Sequence, residues 1–295
     1  MPGIPSELAH RIAHFARFPQ TGVSLRQMVE FGQNPSQGTL LRAAQFLHDE
    51  LPIRLAHRVV ELDSLPDRLN EMPSVLRVKR MYIDSFNELI NFPRASERIK
   101  EAVKSATVHS AAARRQLSGN NPNPIASDTQ RASSAHWIPS IQHRYHYEVQ
   151  STELPLDVAE YNHSFVKALE RIKRRHDPVV TALAQGVVEY KQLRNTSTVD
   201  TQVQHFLDRF YLSRIGIRML IGQQIALNQP QKLRDFVGVI CTNTIIADVV
   251  KEAIDNARFI CGDYYMLMNV PEIELHCPRD LAFMYVPSHL HHMVF

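Results

Sequence analysis

Two arginines four residues apart, Arg214 and Arg218, open the search for chemistry in this sequence. On a helix that spacing puts both guanidinium groups on one face, where they repel unless an anion or a carboxylate lies between them. Ile217 and Ile221 flank them, and Asp208, Arg209 and Ser213 stand nearby in the chain. The cluster therefore reads in two ways, as internal ion pairs or as a small carboxylate pocket. A second group, Lys173-Arg174-Arg175-His176-Asp177, precedes Pro178. It reads either as a solvated charged face or as a histidine turned toward a cleft beside a proline break. The third group is His289, His291 and His292. Adjacent helical histidines point about 100° apart, which spoils chelation, so no metal site is expected there.

Long amphipathic helices must position these groups. Leu8, Ile12 and Phe15 follow a candidate cap at Ser6, and Ser24 restarts a helix with Leu25, Met28, Val29 and Phe31. From Gln37 a helical stripe runs to a bend or break at Pro52 and on to Leu65-Pro66, and another spans about Val75 to Asn91. A helix from about Asp157 to Lys191 carries Pro178 and is expected to kink there. A further helix covers about Thr201 to Leu227. After Lys232 the pattern changes. Phe236 to Cys241 is strand-like, Thr244 is placed to cap a helix that Gly262 ends, and Ile273, Leu275 and Cys277 alternate as a strand. Phe283 to Val286 makes another strand, and Pro287 opens a last helix of about two turns.

The fold class expected is mainly α: a helical bundle over residues 1–232, then the start of an α/β domain over 233–295. Residues 104–147, rich in Ser, Ala, Asn and Pro, read as a disordered insertion. Other classes fall away. A net charge of +3 on 295 residues argues for no nucleic-acid partner, and no apolar run is long enough to span a membrane. The three cysteines, Cys241, Cys261 and Cys277, are odd in number and lack paired spacing, so they read as buried small side chains in a reducing compartment. Gly-x-x-x-x-Gly-Lys, Gly-x-Gly-x-x-Gly and Gly-x-Ser-x-Gly are absent, as is a protein-kinase His-Arg-Asp loop. The residues alone reach no reaction.

Four stretches go further. Glu50-Leu-Pro-Ile-Arg-Leu55, Arg175-His-Asp-Pro-Val-Val180 with Ala184-Gln-Gly186, the run Phe206 to Gln223, and Tyr285-Val-Pro-Ser-His-Leu290 occur in that order. With them the sequence resembles the mitochondrial 2-oxoacid dehydrogenase kinases. Phe210-Tyr211-Leu212 and Ile221-Gly222-Gln223 favour the pyruvate over the branched-chain side of the family.

The resemblance implies an N-terminal four-helix bundle joined to a GHKL-type ATP-binding domain, the kind shared by gyrase, a heat-shock chaperone and histidine kinases. It implies phosphate transfer from Mg-ATP to serines of the E1α subunit of pyruvate dehydrogenase, in the mitochondrial matrix, which switches the complex off. Positioning and charge stabilisation carry such a transfer. By the same likeness His176 and His292 take catalytic positions. Leu55, Tyr82, Ser85, Ile172, Lys173, His176, Ser213, Arg214, Ile217, Arg218 and Ile221 correspond to a pocket for pyruvate-like inhibitors, with Arg214 on the carboxylate. Lys173 replaces a common arginine, keeping the charge and losing the bidentate fork. Val23, Met28, Phe31 and Phe46 correspond to the slot for the lipoyl arm of E2, where Met28 replaces an aromatic residue.

The family's general-base glutamate, magnesium-binding asparagine, Asp-x-Gly-x-Gly segment and glycine-rich lid all come after the position of Phe295. Most ATP ligands are thus expected to be missing from the sequence as given, with ATP and Mg²⁺ binding belonging to the full-length form. The partners implied are E1α, the E2 lipoyl domain and a second copy of the kinase, with no nucleic acid or membrane. The alternative expectation is a short non-catalytic module that docks on E2 lipoyl domains or on full-length kinase.

Overall fold

A computed structural model describes residues 5–66, 68–99, 101, 156–195, 201–230, 234–266, 269–278 and 280–295. The 104–147 segment lies outside the described residues. The chain divides into two compact units: residues 1–22 with 34–228, and residues 23–33 with 229–295. The short segment Val23–Gln33 thus groups with the C-terminal residues and not with the helices that flank it in sequence.

The first unit is helical. Helix α1 (Ser6–Phe15) starts behind Pro5, without the side-chain cap that Ser6 was expected to give. Helix α3 (Gln37–Asp63) runs unbroken through Pro52. A proline in a helix interior forfeits one hydrogen bond and costs about 3 kcal/mol. Burial on nearly every face offsets that cost here: Leu41, Ala44, Leu51, Leu55, Val59 and Leu62 are all essentially inaccessible. Helices α1, α4 (Pro73–Asn91), α5 (Leu156–Arg175) and α7 (Thr201–Leu227) each pack against α3. Helix α6 (Val179–Arg194) lies along α4.

The expected kink at Pro178 is a complete break. Without an N–H, Pro178 cannot continue the ladder, and the chain turns through His176–Pro178 between α5 and α6. The His176 N–H bonds the Ile172 carbonyl at 3.1 Å, the Asp177 N–H the Arg174 carbonyl at 3.1 Å, and the Val179 N–H the His176 carbonyl at 3.3 Å. Two contacts then fix α6 on α4. Glu189 accepts the Ser74 N–H at 3.0 Å and its hydroxyl at 2.6 Å, and so caps α4 from another helix. At Gly186 a Cβ would meet Val75 Cγ2 at 2.6 Å, so only glycine allows this approach.

The second unit holds α2 (Leu25–Gly32), which starts at a full capping box between Ser24 and Gln27. Its sheet is antiparallel in the order β1 (Phe236–Val237), β2 (Ile240–Ile245), β3 (Ala282–Tyr285). The run expected as one strand from Phe236 to Cys241 is a hairpin. Gly238, at φ 63°, supplies the positive dihedral that a two-residue hairpin turn requires. Helix α8 (Ile246–Tyr265) packs on β2 and on α9 (Pro287–Val294).

Three further expectations fail here. Thr244 is a strand residue and α8 has no side-chain cap, because the strand runs directly into the helix. Gly262 does not end α8, which continues to Met266 in the left-handed region. Ile273, Leu275 and Cys277 form no strand among the described residues, since alternation without a neighbouring ladder does not make one. Of the cysteines only Cys241 is buried; Cys261 and Cys277 are partly exposed, and all three are free thiols.

Candidate functional site

The turn made by Pro178 carries His176 inward, where it is 1% exposed. Helix α4 supplies the opposite wall. Tyr82 and Ser85 lie one turn apart on its buried face, and the Tyr82 ring sits 4.5 Å from the His176 ring. Phe210 of α7 packs edge-on against Tyr82 at 5.6 Å. The Ser85 hydroxyl is 2.9 Å from His176 Nε2 and accepts from Arg175 Nη1 at 2.9 Å. Burial, helped by the charges of Arg175, Arg214 and Arg218, pushes the His176 pKa down to about 4, so the ring is neutral at physiological pH. Burial pushes the Tyr82 phenol well above its ordinary range, against the opposing pull of Arg214, Arg58 and Arg218.

Helix α7 brings the two arginines to the same turn. Arg214 Nη2 donates to the His176 carbonyl at 3.2 Å, and Arg218 Nη1 pairs with Asp177 at 3.0 Å. Arg218 is thus held by a carboxylate of the chain, whereas among the described residues Arg214 is held by a main-chain carbonyl. Burial and the charge of Arg218 lower the pKa of Arg214, against the opposing pull of Tyr82, Asp177 and Tyr211. Tyr82 Oη, Ser213 Oγ and Arg214 Nε are among the nine buried side-chain atoms with no hydrogen-bond partner among the described residues. Buried polar atoms in native structures are almost always satisfied, and a carboxylate is an acceptor for each of these donors.

Leu55, Ile172, Ile217 and Ile221 are buried in the same helical unit, while Lys173 is half-buried. Two participants escaped the sequence reading. Glu88 accepts from Arg175 Nη2 at 2.7 Å and from Arg171 Nε at 2.9 Å, and Phe210 walls the tyrosine. Glu88 follows Ser85 by three residues and shares its face of α4, which the spacing did show. That this face meets Arg175 was not visible. A separate cleft of ≈ 500 Å³, lined by Glu61, Leu65, Pro66, His205, Phe206 and Arg209, shares none of these residues.

The remaining expected site residues are not gathered in one unit. Phe46 is buried in the helical unit; Met28 is buried in the second unit, where Val23 and Phe31 are half-exposed. His292 also belongs to the second unit and is exposed. Its neighbour His291 lies 3.0 Å from Asn256 and stacks on Phe295. Among the described residues no group of three His, Cys, Asp or Glu side chains could hold a metal ion. Of the histidines of α9, His292 is exposed and His289 and His291 are half-buried.

Comparison with known proteins shows the family. Residues 22–241 match the family model described as mitochondrial branched-chain alpha-ketoacid dehydrogenase kinase. The mitochondrial pyruvate dehydrogenase (acetyl-transferring) kinase of Schizosaccharomyces pombe is 39% identical over 291 residues, 98% of this chain and 68% of the relative. That of Arabidopsis thaliana is 34% identical, over 99% of this chain and 62% of the relative. Isozyme 1 of Homo sapiens is 32% identical, over 99% and 55%. The chain belongs to the mitochondrial 2-oxoacid dehydrogenase kinase family. It spans between 55% and 68% of the length of these three relatives.

Proposed function

We propose that this chain forms the ligand-responsive and docking portion of a mitochondrial, matrix-located pyruvate dehydrogenase kinase. In full-length form such a kinase transfers phosphate from Mg-ATP to serines of E1α and inactivates the complex. The names of the relatives support the pyruvate side of the family and the mitochondrial location. The helical unit is read as the family's four-helix bundle and residues 233–295 as the start of its GHKL-type domain. His176 and His292 take catalytic positions in this reading.

One observation carries the ligand-responsive part: beside neutral, buried His176, Tyr82 and Arg214 each hold a buried polar atom with no partner among the described residues. A small monocarboxylate of the pyruvate class satisfies that donor set, with Arg214 on the carboxylate and the apolar walls of Leu55, Ile172, Ile217 and Ile221 behind it. Calorimetric titration of the chain with pyruvate tests the reading. Binding is expected, weakened about 10- to 100-fold by Arg214→Ala, the size of a charge-assisted hydrogen bond. Equal affinity in the variant overturns it.

A second reading keeps the docking role alone, on an E2 lipoyl domain or on full-length kinase. An isolated lipoyl domain is expected to bind, with Phe31→Ala and Phe46→Ala each abolishing binding. No detectable binding by the unmodified chain sinks this reading. On either reading, Mg-ATP titrated into the chain as given is expected to give no measurable heat.

A further inference from the structure

Ser85 meets three partners, which use the full hydrogen-bonding capacity of its hydroxyl. It carries one proton and two lone pairs. The Met81 carbonyl, a turn earlier on α4, lies 2.8 Å from Ser85 Oγ and can only accept. The Arg175 guanidinium, at 2.9 Å, can only donate. The hydroxyl proton goes to Met81, and Arg175 takes one lone pair. The second lone pair faces His176 Nε2 at 2.9 Å, and only an N–H can use it. A bare Nε2 lone pair there would face the remaining Ser85 lone pair, acceptor against acceptor.

A second layer holds the first. Glu88, three residues after Ser85 on α4, accepts from Arg175 Nη2 at 2.7 Å and directs the guanidinium toward the serine. Arg171 steadies the same carboxylate at 2.9 Å. We propose that Ser85 is a positioning residue that locks His176 in the Nε2–H tautomer, with Glu88 supporting it through Arg175. The ring nitrogen left with a lone pair is then Nδ1, so any proton or hydrogen bond that His176 accepts arrives at Nδ1. The functional weight of this lock rests on the reading of His176 as a site residue; the tautomer itself does not.

Long-range ¹H–¹⁵N correlation spectra of the full chain, labelled with ¹⁵N-histidine, read the tautomer directly. The His176 signals are assigned by their loss in His176→Gln. A single Nε2–H tautomer is expected at pH 7. Ser85→Ala is expected to release a mixture of the two tautomers, Ser85→Thr to keep the wild-type pattern, and Glu88→Ala to give a smaller shift in the same direction. An Nδ1–H tautomer or a mixture in the wild type overturns the proposal, as does an unchanged pattern in folded Ser85→Ala. If Ser85→Ala does not fold, Glu88→Ala decides: its side chain is 20% exposed, and a spectrum identical to wild type overturns the lock. Loss of pyruvate binding with the tautomer intact would count against the ligand reading alone.

Discussion

The two compact units bury their large side chains very differently. In the helical unit Tyr82, Phe86, Phe165, Tyr190 and Phe210 are all essentially inaccessible. In the C-terminal unit Phe259 is 75% exposed, Tyr264 77% and Met266 89%, and Phe283, Met293 and Phe295 are also exposed. Helices that surround α3 supply one another with apolar cover on several sides. A three-stranded sheet of short strands covers only one face of α8, whose buried residues are Val249 and Ala253. Burial is the main favourable contribution to folding, so the two units are built to differ in local stability.

Hydrogen exchange gives the widest test of that difference. Amides in the middle of α3, α4 and α7 are expected to exchange only through global opening, and those of α8 and α9 through local opening several kcal/mol less costly. Equal protection in α4 and α8 would remove the comparison. Next in size is Phe86→Ala, expected to cost about 3–5 kcal/mol in denaturant titration of the helical unit because a fully buried ring is lost. The matching change Phe259→Ala is expected to stay within about 0.5 kcal/mol.

Acid should weaken the helical unit through His176. Its pKa falls from 6.5 to about 4 on folding, so between those values the unfolded chain binds the extra proton. The contribution is complete above pH 6.5, is lost as pH drops toward 4, and amounts to roughly 3 kcal/mol. Comparing urea midpoints of wild type and His176→Gln at pH 7 and pH 4.5 isolates it, and parallel curves would refute it. Gly186→Ala is expected to cost about 1–3 kcal/mol, since Val75 must move to admit the methyl group. Thermal denaturation reads that directly. A neutral result would mean that α4 and α6 approach less closely than the structure shows.

Local features of the fold were legible wherever one helix or turn decides its own form. Ser24 with Gln27 announces the start of α2, and the apolar stripes of α4 and α7 announce their buried faces. Proline shows the limit. Pro52 and Pro178 look alike in sequence, yet one lies inside a continuous helix and the other ends one. Pro52 is surrounded by packed helices that make the lost hydrogen bond tolerable, whereas Pro178 adjoins a histidine whose burial depends on the turn. At the candidate site, the spacing of Arg214 and Arg218 shows that they share a face, but not that Arg218 finds Asp177 while Arg214 finds the His176 carbonyl.

The sequence by itself determined the family, through four ordered stretches, and with it the residue types available: a histidine ahead of a proline and two arginines one turn apart. Only the tertiary structure decided which of them meet. Partners such as Ser74 with Glu189, Ser85 with His176, and Glu88 with Arg175 lie tens of residues or more apart in the chain. A hydrogen bond between distant residues is set by where whole helices pack, and that depends on the sum of buried surfaces rather than on any local spacing.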